Sequence, residues 1–175
     1  MKYLVSLYFD NETTQQIMQY IKAVFVATGN DYMIKHKVPP HITISSFETE
    51  NIEAVLPKLE TCLEKLDTGE IQWIGTGAFK TSTLYLVPVL NRYLQEVAEA
   101  VYAVISVDNS IKVSKYYQPF QWLPHTTIGK RMDAQQLLKA FQAVQPDYKV
   151  ITGRVVKVGL AKANPYEDIY QYSIK

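Results

Sequence analysis

The sequence predicts a mixed α and β domain in which one structural unit is used twice. Two observations carry this expectation. The pattern strand, helix, loop, proline-histidine strand, helix, strand runs through the first half of the chain and again through the second. The histidines that open those strands, His41 and His125, stand 84 residues apart, and two helix-capping asparagines, Asn11 and Asn91, stand 80 apart. An offset of that size marks a duplicated supersecondary unit rather than a short-period solenoid. No linker rich in Pro, Gly or Ser separates the halves, residues 1–80 and 81–175, so a single compact body is expected, with equivalent points facing each other across a pseudo-twofold axis.

Taken in order, residues 2–9 are short and rich in Tyr, Val and Leu, as a buried strand should be. Asp10 or Asn11 can cap the following helix, which carries Ile17, Ile21, Val24, Phe25 and Thr28 at helical spacing and ends at Gly29-Asn30-Asp31. A loop closes on Pro39-Pro40, and His41-Ile42-Thr43-Ile44-Ser45 alternates as a strand does. Ile52, Val55, Leu56, Leu59, Leu63 and Leu66 mark a second helix that Pro57 either delays to near Leu56 or kinks. Residues 70–79 form a strand. The order then restarts with a strand at 83–89 and a helix capped by Asn91 that carries Leu94, Val97, Val101, Val104 and Ile105. A long loop, 115–124, closes on His125-Thr126-Thr127-Ile128. Asp133 and Gln136 make a capping box for a helix with Leu137, Leu138, Phe141 and Val144. Closing strands are expected at 150–160 and 169–174, joined through an Asn164-Pro165 turn.

Composition narrows the function. Lys+Arg 18 against Asp+Glu 17 gives a net charge of +1, which argues against coating nucleic acid through a broad basic surface but leaves room for a pocket built for one phosphate. A single cysteine, Cys62, at a helix-type apolar position, excludes an internal disulfide framework and a multi-Cys zinc site. The apolar run at the N-terminus is too short for a signal peptide, and no stretch has the length of a membrane span. The expectation is a soluble, cytoplasmic protein, by default a monomer, with no membrane partner and no obligatory protein partner.

On a strand, side chains alternate between faces, so His41, Thr43 and Ser45 should share one face with Ile42 and Ile44 on the other. His125 and Thr127 should likewise share a face, with Thr126 and Ile128 opposite. Each histidine then has a hydroxyl neighbour about 7 Å along its strand, and duplication brings both pairs toward one cleft. That set suits a phosphodiester. Cleaving a P–O bond near neutral pH needs one group to take a proton and another to deliver one, and an imidazole of unperturbed pKa about 6.5 can do either. A threonine hydroxyl can donate to a non-bridging phosphoryl oxygen. No metal and no cofactor is required.

The two elements His41-Ile42-Thr43-Ile44 and His125-Thr126-Thr127-Ile128, each preceded by a proline and separated by half the chain, resemble the paired H-x-T-Φ motifs (Φ apolar) of the two-histidine (2H) phosphoesterase superfamily, which includes bacterial 2′-5′ RNA ligases and cyclic nucleotide phosphodiesterases. The resemblance implies a bilobal α+β fold with two antiparallel sheets flanked by helices around a central cleft. It also implies catalysis by His41 and His125, substrate-phosphate binding by Thr43 and Thr127, and a substrate such as a 2′,3′-cyclic phosphate, a 2′-5′ linkage or an RNA end. A basic residue often follows the second motif in that family. Arg131 falls on the face of His125 if the strand stays regular, whereas Lys130 needs an irregular strand end. Ser45-Ser46-Phe47-Glu48 lacks the glycine usual in the RNA-ligase branch, and Thr126 stands where many members have an apolar residue.

Other readings stand beside these. Tyr116, Tyr117, Phe120 and Trp122 cluster before the second motif, where Tyr117, Phe120 and Trp122 either stack on a nucleobase or plug the lobe interface. Tyr8 or Phe9 can line the cleft or pack as strand core. His36, between Lys35 and Lys37, is expected to be solvated, with the cleft mouth as its alternative. Two rival functions are a non-catalytic module binding an RNA end or nucleotide, and a metallohydrolase using His36, His41 and His125, for which the five-residue spacing across Pro39-Pro40 is poor geometry.

Overall fold

The computed structural model describes residues 1–164 and 166–174. In chain order the elements are β1 (Lys2–Phe9), α1 (Asn11–Thr28), α2 (Tyr32–Lys35), β2 (His41–Glu48), α3 (Ile52–Leu63), β3 (Gly69–Phe79), β4 (Thr83–Pro88), α4 (Arg92–Ile105), β5 (Lys112–Val113), a 3₁₀ turn (Lys115–Tyr117), β6 (Thr126–Lys130), α5 (Ala134–Val144), β7 (Ile151–Ala163) and β8 (Tyr166–Ser173). Local chemistry accounts for the boundaries. Asp10, rather than Asn11, caps α1 by accepting from the Thr13 amide at 2.8 Å. Gly29, at φ 69°, ends α1 in the left-handed conformation that glycine adopts at least cost. Asn91 caps α4, and Asp133 with Gln136 forms the expected capping box of α5.

Three details differ from the sequence expectation. Helix α3 begins at Ile52 under an Asn51 cap and runs through Pro57 instead of starting near Leu56. Pro57 and Glu53 are both exposed, so the Glu53 carbonyl that loses its helical partner faces solvent, where water can satisfy it. The loop before β2 contains the single turn α2. Strands β7 and β8 are longer than expected, and at Pro165 the Asn164-Pro165 turn lies outside the described residues.

All strand pairs are antiparallel. The order is β5-β2-β1-β7-β3-β4-β6, with β8 pairing β7. About the β7/β3 pair this order reads alike in both directions: a long strand, then the strand that opens a half of the chain, then the strand carrying a histidine motif. Each lobe therefore takes one long strand from the other half. Its helical cover is mixed in the same way, since α1 packs on α5 while α3 packs on α4. Where two sheets were expected around a cleft, the strands form one eight-stranded sheet, continuous through β7, whose residues Ile151 to Val155 pair with β3 and Lys157 to Ala163 with β8. The path curls until β2 and β6 touch.

Tyr3, Val5, Leu7 and Phe9 of β1 point into the core, and Leu4, Ser6 and Tyr8 face the cleft. Trp73, fully buried, packs edge-on against Phe9 with ring centroids 4.8 Å apart. Its indole N–H donates to Thr126 Oγ1 at 3.0 Å, which explains a threonine at a fully buried position.

Neither motif strand is regular. Val5 pairs with Ser45 but Ser6 pairs with Thr43, so Ile44 is an extra residue in β2. Leu84 pairs with Gly129 but Tyr85 with Thr127, so Ile128 is extra in β6. A bulge of one residue reverses the facing of everything beyond it. The expected Ser45 therefore faces the core with Val5, and Ser46 takes the cleft face beside Leu4.

Asp10 joins α1 to β7. Its carboxylate accepts from the Thr13 amide and hydroxyl at 2.8 and 2.9 Å and from the Arg154 amide at 2.9 Å. Burial alone would raise this carboxyl, but the Thr13 and Arg154 donors outweigh burial and hold it below the usual carboxylate range. We predict that Asp10→Ala costs about 1–2 kcal/mol at pH 7, measured by denaturant unfolding. Because the folded value is depressed, this contribution is present above about pH 3.9 and fades as pH falls through the folded value. A deficit that stayed constant down to pH 2 would contradict this origin.

Candidate active site

His41 opens β2 opposite Tyr8, and His125 immediately precedes β6. The residue before each is a proline, which keeps the preceding backbone extended. The result is the same contact twice: His41 Nδ1 lies 2.8 Å from the Pro39 carbonyl, and His125 Nδ1 lies 3.0 Å from the Leu123 carbonyl. A carbonyl only accepts, so Nδ1 carries the proton and donates. In the neutral ring Nε2 is then the free, basic nitrogen. Both rings are half-buried. Phe79 and Tyr85 meet His125 edge-on at centroid distances of 4.8 and 5.5 Å, and Tyr8 lies beside His41 at 6.3 Å.

The cleft is a cavity of about 440 Å³ whose lining includes Ser6, Tyr8, His41, Thr127, Lys130 and Arg131. Thr43 is buried behind it, with Oγ1 3.3 Å from Ser6 Oγ. The bulge at Ile128 decides where the two basic residues sit. Lys130 pairs with Thr83 and occupies the cleft side of β6 through the irregularity that its placement required. Arg131 lies past the strand end at φ 58°, its guanidinium over the Tyr32 ring at 4.9 Å. Sequence reasoning ranked Arg131 slightly ahead because it assumed an unbroken strand; both residues line the cavity, Lys130 from the strand and Arg131 from past its end.

Burial lowers the pKa of His41, the Pro39 carbonyl works against that shift, and the charges of His125 and Lys130 push it further down. His125 is also lowered, first by burial and then by Lys130, against the pull of the Leu123 carbonyl. Both imidazoles therefore favour the neutral form.

The structure separates the three loop aromatics, for which stacking on a base and plugging the lobe interface were the two readings. Trp122 belongs to the core, where its N–H donates to the Thr43 carbonyl at 3.2 Å. Tyr117 packs against the core, and burial raises its pKa. Phe120 projects into solvent, 89% exposed. None of the three lines the cleft cavity. Tyr8 does line it, and Phe9 is core. His36 is exposed at the cleft mouth with Lys37, its ring 4.5 Å from that of Tyr32.

Ser6 and Tyr166 are among the lining residues that escaped the sequence reading. Ser6 is the one small hydroxyl inside an otherwise apolar strand, two positions before Tyr8, and that interruption was a usable signal. Tyr166 reaches the cleft only because β8 folds back along β7, and its hydroxyl lies 3.3 Å from that of Tyr8. Nothing local in the sequence marks it. Among the described residues no three His, Cys, Asp or Glu side chains gather where they would hold a metal ion. Cys62 is half-buried against the core. No helix of the described residues is long and apolar enough to cross a membrane.

No curated protein sequence matches the chain significantly. Among solved structures, the TT0787 protein of Thermus thermophilus superposes with a TM-score of 0.64 at 15% identity, covering 99% of this chain and 98% of the other. A protein described as a phosphoesterase gives 0.64 at 12% identity with the same coverage. Escherichia coli LigT complexed with 3′-AMP gives 0.62 at 10% identity, again over 99% and 98%. At these identities the likeness establishes the fold, which is the expected bilobal α+β architecture. The profile of the 2′-5′ RNA ligase superfamily matches residues 12–166 and so spans both histidine motifs and the strands between them. The chain belongs to the 2′-5′ RNA ligase superfamily, the two-histidine group that its motifs resemble.

Proposed function

We propose that this protein is a phosphoesterase that opens a 2′,3′-cyclic phosphate, a 2′-5′ linkage or a related RNA or nucleotide phosphodiester by two-histidine acid–base catalysis. The observation that carries this reading is the repeated anchor: two imidazoles on touching strands, each with Nδ1 held by the carbonyl two residues back and Nε2 left free. We further read the two halves, 1–80 and 81–175, as repeats.

In the reaction, one Nε2 takes a proton from water as its oxygen bonds to phosphorus. The bond from phosphorus to one ribose oxygen breaks, and the other histidine protonates that oxygen, so a cyclic phosphate yields a ribose phosphomonoester. Thr127 on the cleft wall donates to a non-bridging oxygen. Thr43 would act on the phosphate through Ser6, whose hydroxyl lines the cavity 3.3 Å from Thr43 Oγ1. Lys130, close enough to lower both imidazoles, supplies positive charge where the phosphoryl oxygens gather negative charge. Arg131 adds charge at the rim. Neither proton transfer requires a metal.

The test is turnover of 2′,3′-cyclic nucleotides in EDTA. Wild type should be active, and His41→Ala and His125→Ala should each lower kcat by about 10²–10⁴-fold. Activity that survives either substitution would remove the scheme, and tight binding with no wild-type turnover would replace it with a binding module.

A second prediction concerns charge. Lys130→Gln should raise the pKa of both His41 and His125, read from the pH dependence of their ring proton resonances, because the lysine charge disfavours the imidazolium at each. The acid limb of the kcat/KM profile should move to higher pH with them. Unchanged histidine titrations would place the Lys130 charge outside the site.

A further inference from the structure

A second cavity, of about 310 Å³, lies farther along the same sheet face, at the end of β2 away from His41. Three lysines border it. Lys2 of β1 and Lys112 of β5 flank Glu48 of β2 in register, and Lys115 opens the 3₁₀ turn that follows β5. All three lysines are exposed, and none is within ion-pair distance of a carboxylate among the described residues. Three ammonium groups against one carboxylate leave the cavity positive in a chain whose net charge is only +1.

Its floor includes Ser46, which is 1% exposed and whose hydroxyl has no hydrogen-bond partner. A buried hydroxyl without a partner is uncommon, and Ser46 could donate to an anion in the cavity once its side chain turns toward it. The β2 bulge put Ser46 here. Without the extra residue at Ile44, Ser46 would face the core and Ser45 would stand in its place. The same face then runs from His41 and Thr43 through Ser46 to Glu48, and Ser46 lies roughly 15 Å along the strand from His41. Segment 112–115 is fixed against this edge by the pairing of Lys112 with Glu48 and by the Ser114 amide donating to the Ser46 carbonyl at 2.8 Å.

We propose that this cavity is a second phosphate subsite, which holds an internal phosphodiester of the RNA strand whose end occupies the two-histidine cleft. This rests on the proposed function and deepens it, since a subsite at that distance favours an oligonucleotide end over a mononucleotide. Glu48 opposes the anion and sets a ceiling on its affinity.

Binding reads the subsite separately from turnover. The probes are oligoadenylates of one to four nucleotides ending in a 3′-phosphate, which the proposed reaction does not consume. Affinity is measured by calorimetry across a salt series. In wild type, affinity should rise with length once the strand reaches the lysines. Lys112→Gln with Lys115→Gln should flatten that rise, weaken the tetranucleotide roughly 10-fold at low salt, and reduce the salt slope by about 0.7, the value for one phosphate on a single strand. Glu48→Gln should shift affinity the other way. Lys22→Gln with Lys139→Gln, equal charge removed from α1 and α5, should leave the length dependence intact.

Equal length dependence and equal slopes in wild type and the Lys112/Lys115 variant would overturn the subsite, as would a Lys22/Lys139 effect of the same size. Failure of the proposed function would look different: no wild-type turnover of cyclic nucleotides, whatever the binding series shows.

Discussion

The pairing of β3 with β7 is the contact on which the other arrangements depend. Five registered pairs, from Gly69 with Val155 to Trp73 with Ile151, join the last strand of the first half to a strand of the second. Through it each lobe is completed by a strand from the opposite half: β7 lies against β1, and β3 lies against β4. Neither half has a closed core alone, since its helices also pack on helices of the other half. This exchange fixes the distance between the motif strands. Counted through the sheet, β2 and β6 are far apart, with β1, β7, β3 and β4 between them. They meet only because twisted antiparallel strands curl the path back on itself. One continuous sheet thus brings together the two strands whose histidines stand 84 residues apart.

The paired bulges then decide which side chains attend the histidines. Directly after each H-x-T the strand gains a residue, Ile44 in one case and Ile128 in the other. Up to the threonine, ordinary alternation holds. Past it, the facing inverts, so Lys130 replaces Arg131 on the cleft side of β6 and Ser46 replaces Ser45 on that of β2. Both extra residues are isoleucines with almost no exposure, 1% at Ile44 and 0% at Ile128, so the core holds each bulge in place. An apolar residue at the fourth motif position therefore has a structural meaning beyond strand propensity.

Much of this was legible in the sequence. Caps such as Asn91 and Asp133 are local chemistry, and the strands that carry His41 and His125 are short alternating runs behind prolines. Family membership followed from eight residues in two places. What stayed hidden depends on partners distant in the chain. A bulge exists only relative to the strand opposite, so the sequence of β6 alone gave no reason to prefer Lys130. Trp122 looked like a loop aromatic because its acceptor, the Thr43 carbonyl, lies 79 positions away. Tyr166 reached the cleft by the same kind of long-range pairing, through β8 on β7. Pro57 left a late start and a kink both open, and a local rule could not show that solvent at an exposed turn lets the helix run on through it.

The electrostatic design favours a particular order of events in the proposed reaction. Acid–base catalysis asks the two imidazoles to differ, one neutral and one protonated, yet burial and Lys130 push both toward neutrality. The anchoring carbonyls of Pro39 and Leu123 pull the other way, because each is better bonded to a charged ring than to a neutral one. A phosphodiester entering the cleft brings a negative charge that offsets Lys130 and adds an attraction for an imidazolium. The ring nearer that charge gains a proton, and the other keeps a free Nε2. On this argument the substrate itself breaks the symmetry between two equivalent histidines. The acid forms where the leaving oxygen will need it, and the roles of His41 and His125 follow from the orientation in which the phosphate binds.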